Sequence, residues 1–348
     1  MVSTTINPTV LAYTPPDPPL KEFTPPRDRA FFANPTKASL FSQASAVEEV
    51  TPHIGTELKG VQLSTLTDAQ KDELALLVAE RGVAFFRDQD IKLDQQHDLA
   101  SYYGLQDKDP NQQDPKHVTI IGRGGNIRAH GHYGAEYHGD HSYEVNPPSY
   151  TLLRMVKTPP SGGDTIFTSQ TALYDTLSPT FQKLVEGVHA IHSSERSYLA
   201  SINGGGAPHR APIATAHPLV RTHPVTRLKS LNYNPTFIER IEELNGQESR
   251  HLLAFLREHL LNAADLTVRW KWTPGAIAFW DNRVVVHRAV PGGYDVSLRE
   301  GKRTAIYGER PFFDPENSES LTERKKRLEA ETGLNGLAHK TKDIVLNN

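Results

Sequence analysis

The chain has 348 residues, with 38 Lys and Arg against 41 Asp and Glu, a net charge of −3, 16 His and no Cys. Near-balanced charge excludes a basic nucleic-acid surface, and the lack of Cys excludes disulfide frameworks, zinc ribbons, iron–sulfur clusters and thiol nucleophiles. No basic segment followed by an apolar core opens the chain and no apolar run of about 18 residues occurs, so a cytoplasmic protein without a membrane partner is expected.

Residues 1–35 hold eight prolines, among them Pro15-Pro16, Pro18-Pro19 and Pro25-Pro26. Proline removes backbone donors and biases its predecessor to extended geometry. Residues 1–49 therefore read as an arm, either loosely held or wrapped around a neighbouring subunit. Residues 66–82 read as a helix capped by Thr67, with Leu74, Leu76 and Leu77 on its apolar side and Gly82 at its end. Val83-Ala84-Phe85-Phe86 reads as a buried strand, and residues 93–103 as a second helix stopped by Gly104.

Residues 118–121 and 150–156 read as strands separated by a glycine-rich loop over 122–134, and a turn over 159–163 precedes a single helix over 171–187. Residues 195–225 carry Gly204-Gly205-Gly206 and four prolines, which predicts an irregular lid or insertion. Residues 234–264 are expected to form two helices broken near Asn245-Gly246. Strands are expected over 266–272, 276–280, 284–290 and 303–307, and the last 34 residues form a charged, partly helical tail. Helices lie early and in one middle block, while strands cluster around His-bearing turns. The pattern predicts an α+β, mainly β architecture: an antiparallel barrel or jelly roll with helices packed outside.

His138-Gly139-Asp140 is the first sharp chemical signal. Residues two apart in a strand point to one side, so His138 and Asp140 can present an imidazole and a carboxylate to one ion. His287 arrives far downstream, after Trp280-Asp281-Asn282-Arg283. Two His and one carboxylate, with three positions left open, suit a non-haem Fe(II) oxygenase, because a cosubstrate and O₂ can bind side by side. A His-x-Asp tripeptide alone is equally a surface pair. A binuclear zinc hydrolase needs His-x-His-x-Asp-His, and Glu136 stands where its first His belongs. His130, His132 and His141 read as loop histidines, solvated or hydrogen-bonded.

The chain resembles the Fe(II)/2-oxoglutarate-dependent dioxygenases of the taurine dioxygenase family over about residues 50–312. The pieces that carry this occur in order: residues 83–89, His138-Gly139-Asp140, Gly162-Gly163-Asp164-Thr165, residues 217–224, Trp280 to His287, and finally Arg299 and Arg303. The resemblance implies a double-stranded β-helix, a cupin-like jelly roll, with surrounding helices. It implies a single domain over 50–312, between the arm and a tail over 313–348. It implies Fe(II) on His138, Asp140 and His287, and a homo-oligomer. Thr165 and Arg299 would hold the distal carboxylate of 2-oxoglutarate, the planar guanidinium matching a carboxylate; Lys302 is an alternative partner. With O₂ as the second cosubstrate, an aliphatic C–H bond would be hydroxylated, desaturated or cyclised, with release of succinate and CO₂.

Arg303 stands where the family's sulfonate users place a substrate-binding arginine, so an acid-bearing small molecule is expected. Other positions depart from those enzymes. Asp109 falls where a sulfonate-binding His is usual, Gly134 where an Asn is, and Tyr137 where a Trp is. An aspartate is wrong for an anion and suits an ammonium. Arg303 with Asp109 would describe an amino acid substrate; a taurine or alkylsulfonate substrate is the alternative. A turn residue before Pro110 is the structural reading of Asp109. A silent jelly-roll binding protein is the reading from another class.

Overall fold

The computed structural model describes residues 14–110, 118–121 and 136–332. Among them the strands, in chain order, are β1 Ala46–Glu49, β2 Thr56–Lys59, β3 Val83–Phe86, β4 Val118–Ile121, β5 Pro148–Lys157, β6 Thr165–Ser169, β7 His189–Ser193, β8 Ala214–Pro218, β9 Val220–Thr222, β10 Lys229–Leu231, β11 Ile238–Ile241, β12 Thr267–Trp270, β13 Ile277–Asp281, β14 Val285–Ala289 and β15 Glu300–Tyr307. A large sheet runs β1-β2-β3-β13-β5-β15-β4, and only its β2–β3 pair is parallel. Smaller sheets run β12-β6-β14, β11-β7-β8 and β10-β9.

Alternation along β13 shows how the layers form. Ala278 and Trp280 point one way, into a cluster with Phe85, Leu153, Met155, Phe167, Val268, Trp270 and Val285. That cluster draws on both the large sheet and the β12-β6-β14 sheet, so the two pack face to face. Phe85 and Trp270 stack across the gap with centroids 3.9 Å apart and planes 10° apart. Ile277 and Phe279 point the other way, against Leu74, Leu77, Val78 and Leu99 of two helices. Each such apolar side chain, fully buried, contributes about 1.5–3 kcal/mol.

The first of these helices, Asp68–Arg81, forms where its cap dictates. Thr67 Oγ1 accepts from the Gln70 N–H, and Gln70 Oε1 accepts from the Thr67 N–H. Gly82 ends the helix at φ 77°, and its Cβ would lie 2.7 Å from Val285, so the helix end packs directly on β14. The second helix, Leu93–Tyr103, has the expected bounds.

Three expectations are corrected. The stretch 171–187 is two helices, Gln170–Asp175 and Pro179–Glu186, because Ser178 caps a new start with Pro179 in its first turn. Residues 234–264 hold one helix, Gly246–Leu261, capped by Asn245; the first half is β11, paired to β7. Residues 195–225 open with a helix Glu195–Asn203 and carry strands β8 and β9, so only the stretch 204–213 between them is irregular as expected. The Gly122–Gly134 loop, His130 and His132 lie outside the described residues, as do 1–13 and 333–348.

The described part of the proline-rich segment lies on its own chain. Asp17 N–H donates to His209 O at 2.8 Å, Phe23 meets Tyr307 edge to face, and Asn146 holds both backbone groups of Phe23 at 3.1 Å. Arg29 forks onto Asp72 of the first helix at 2.7 and 3.0 Å. No helix among the described residues is long and apolar enough to cross a membrane.

Candidate metal centre

β14 is placed by its register on β6, where His287 faces Phe167. On its other edge His287 exchanges both backbone bonds with His138, at 2.9 and 2.8 Å. Directly opposed residues in an antiparallel pair share one face, and the two imidazole centroids lie 4.3 Å apart. Asp140, two residues on, turns back to the same spot. One donor atom from each of His138, Asp140 and His287 lies within 4.8 Å of the others. His287 Nε2 is 4.0 Å from Asp140 Oδ1. The rings of Trp280 and Phe167 flank His287 and wall it from solvent.

Neighbouring groups orient the donors. Asp140 N–H donates to Asn282 Oδ1 at 3.1 Å, and the Thr151 hydroxyl donates to Asp140 Oδ2 at 2.8 Å. Asn282 Nδ2 donates to Thr151 Oγ1 at 2.9 Å, while Trp280 Nε1 donates to Asn282 Oδ1 at 3.0 Å. His138 Nδ1 lies 3.1 Å from the Glu136 carbonyl, which can only accept. That nitrogen therefore carries the proton, and the Nε2 lone pair is left for a ligand. Burial works against the Asp140 charge, but Arg303 and the imidazoles of His287 and His138 outweigh it and hold this carboxyl well below the usual range. Burial, with His138 adding to it, pushes His287 down to about 3. A carboxylate and neutral imidazoles are the forms that bind a divalent metal.

The turn before β14 is pinned by charge. Asp281 accepts from Arg283 Nε at 2.8 Å and Nη2 at 2.6 Å, and lies 3.0 Å from His223 Nε2. Trp280-Asp281-Asn282-Arg283 thus sets the approach to His287 and supplies the bonds that orient Asp140.

Thr165 and Arg299 converge on the Gly162–Gly163 turn. Thr165 opens β6 on the same face as Phe167, and its hydroxyl accepts from Trp272 Nε1 at 2.9 Å. Arg299, buried, donates through Nε to Gly163 O at 3.0 Å.

The remaining expected residues fall differently. Tyr137 is corrected: alternation turns it away from His138 into the apolar cluster with Leu173, Tyr233 and Val286, beneath the Arg288 guanidinium. Arg303 and Asp109 face each other, Nη2 to Oδ2 at 3.4 Å, and Arg303 Nη1 also donates to Asp140 Oδ1. Asp109, expected to meet a substrate amine, has Arg303 and His141 as neighbours in this chain. His141, read from the sequence as a solvated or hydrogen-bonded loop histidine, is buried with Nδ1 2.5 Å from Asp107 and Nε2 3.4 Å from Asp109. Burial opposes its charge, but the two carboxylates push it up to about 10. Adjacency to Asp140 was the available signal; the partners at 107 and 109 are non-local.

The family model described as taurine catabolism dioxygenase TauD, TfdA family matches residues 46–305. A putative alpha-ketoglutarate-dependent sulfonate dioxygenase of Schizosaccharomyces pombe is 37% identical over 310 residues, covering 85% of this chain and 78% of that protein. Alpha-ketoglutarate-dependent dioxygenase oryG of Aspergillus oryzae is 36% identical over 311 residues, covering 79% and 91%. The crystal structure of a putative alpha-ketoglutarate-dependent taurine dioxygenase from Burkholderia xenovorans superposes with a TM-score of 0.66 at 30% identity, covering 79% and 97%.

Proposed function

The chain belongs to the taurine catabolism dioxygenase TauD, TfdA family, and from that premise we propose that it oxidises an aliphatic C–H bond of a small acid-bearing molecule, with Fe(II) held by His138, Asp140 and His287. The observation that carries the reading is the convergence of these three donors within 4.8 Å, with His138 held at the Glu136 carbonyl and Asp140 at the Thr151 hydroxyl. Two imidazoles and one carboxylate fit ferrous iron and leave three positions for other ligands. In this reading the facing large and β12-β6-β14 sheets are the two halves of a double-stranded β-helix, and one domain spans 50–312.

When bound, Fe(II) and 2-oxoglutarate supply the oxidising equivalent from O₂ with release of succinate and CO₂. This chain supplies binding and exclusion of water. Thr165 and Arg299 hold the distal carboxylate of the 2-oxo acid, with the guanidinium aimed along the Gly162–Gly163 turn. Trp280 and Phe167 keep water from the inner side of His287. Arg303 faces the acidic group of the substrate. A relative at 37% identity is named a sulfonate dioxygenase, which favours an alkylsulfonate over an amino acid.

The test is succinate release with Fe(II), 2-oxoglutarate and a panel of taurine, alkylsulfonates and branched amino acids. Release above the substrate-free level with an acid-bearing compound, abolished by a chelator, is expected. Release from none of them, or release indifferent to the chelator, contradicts the reading.

A further inference from the structure

Three carboxylates, one guanidinium and one imidazole line up beside the metal group. Asp107 meets His141 at 2.5 Å, His141 meets Asp109 at 3.4 Å, Asp109 meets Arg303 at 3.4 Å, and Arg303 meets Asp140. All are buried or nearly so: the side chains of Asp109 and Arg303 are 10% and 11% exposed. Charges this dry are screened little by salt and interact strongly over a few ångströms. Arg303 therefore already has two carboxylates on its guanidinium before any third anion arrives.

We propose that Asp109 is a specificity-determining residue, a built-in counter-ion of Arg303 that penalises simple organic anions at this site. This rests on reading Arg303 as the group that faces the acidic substrate. An incoming sulfonate or carboxylate must share Arg303 with Asp109 or displace it, and it feels the Asp109 charge either way. Position 109 thereby sets how much of the binding must come from the rest of the substrate. A bare anion binds poorly, and an acid whose apolar body adds contacts of its own is favoured.

The experiment measures binding of 1-hexanesulfonate and of uncharged 1-hexanol to the full chain by calorimetry, anaerobically, with and without Fe(II) and 2-oxoglutarate. Asp109→Asn keeps the size and a polar oxygen but removes the charge, and Asp109→Ser repeats the test should the first variant melt early. Both variants are expected to bind the sulfonate at least about tenfold more tightly than the parent, about 1.4 kcal/mol, with hexanol unchanged. A merely structural role for Asp109 moves both probes together or neither. Equal affinity in parent and variants, weaker affinity in the variants, or no sulfonate binding by any of them overturns the proposal. Succinate release decides the enzymatic reading separately: a charge-dependent gain without turnover of any panel compound leaves the counter-ion standing and removes the assigned reaction.

Discussion

Arg283, on the turn between β13 and β14, donates through Nη1 to Asp28 Oδ2 at 2.7 Å across a sequence separation of 255 residues. The Arg283 side chain is 2% exposed, and the Tyr150 ring lies under its guanidinium. Tyr150 itself donates to both oxygens of Asp28 at 2.8 and 2.9 Å. The proline-rich segment thus clamps the turn that leads to His287. Asp281 still holds the other side of the Arg283 guanidinium, but removing Asp28 leaves Arg283 Nη1 and the buried Tyr150 hydroxyl without this acceptor, so Asp28→Ala is expected to cost about 1–3 kcal/mol. The urea midpoint reads this directly, and an unchanged midpoint contradicts the clamp.

Thr151 bonds Asp140 on the side away from the imidazoles. Thr151→Val keeps the shape and removes the donor. Fe(II) affinity, measured by competition with a chelator, is expected to fall about 10–100-fold, the usual effect of losing a bond to a metal ligand. Unaltered affinity removes Thr151 from the groups that orient Asp140.

Gly163 sits at φ 70°, and a Cβ there would lie 3.0 Å from Arg299 Cδ. Gly163→Ala therefore strains the backbone and pushes the guanidinium aside. The apparent KM for 2-oxoglutarate is expected to rise roughly tenfold, equivalent to about 1.4 kcal/mol, with Fe(II) affinity intact. A KM equal to that of the parent removes Arg299 from the cosubstrate site.

Burial pushes Glu144 up to about 7 in spite of its 3.0 Å contact with Arg210. An unfolded glutamate titrates near about 4.3. Between these values the folded state keeps a proton that the unfolded state has lost, so this group's contribution to stability falls as pH rises from about 4.3 to 7 and is constant above. Glu144→Gln lacks this component. The stability of the parent relative to the variant is expected to decline from pH 5 to pH 8 in melting experiments. A difference that does not change with pH contradicts the assignment.

The parts of the fold legible in the sequence are those whose signals are local. Thr67 and Gly82 announce one helix, and the apolar runs over 276–280 and 284–290 announce β13 and β14. His138, Asp140 and His287 were readable because strand periodicity and motif order put them on one rim. The corrected elements have other causes. Ser178-Pro179 was a readable restart inside an apparently continuous helix, whereas β11 is a strand because β7 offers it an edge, which no window over 238–241 contains. The charges at 107 and 109, at 141 and at 303 come from three separate stretches of chain, and only the folded arrangement pairs them.

Absorption spectroscopy under anaerobic conditions tests the iron assignment most directly. With Fe(II) and 2-oxoglutarate the parent chain is expected to develop a weak visible charge-transfer band that saturates at one iron per chain, and His287→Ala, with its melting curve preserved, is expected to show none. A band of equal intensity in the variant, or no band in the folded parent, contradicts an iron held by His138, Asp140 and His287.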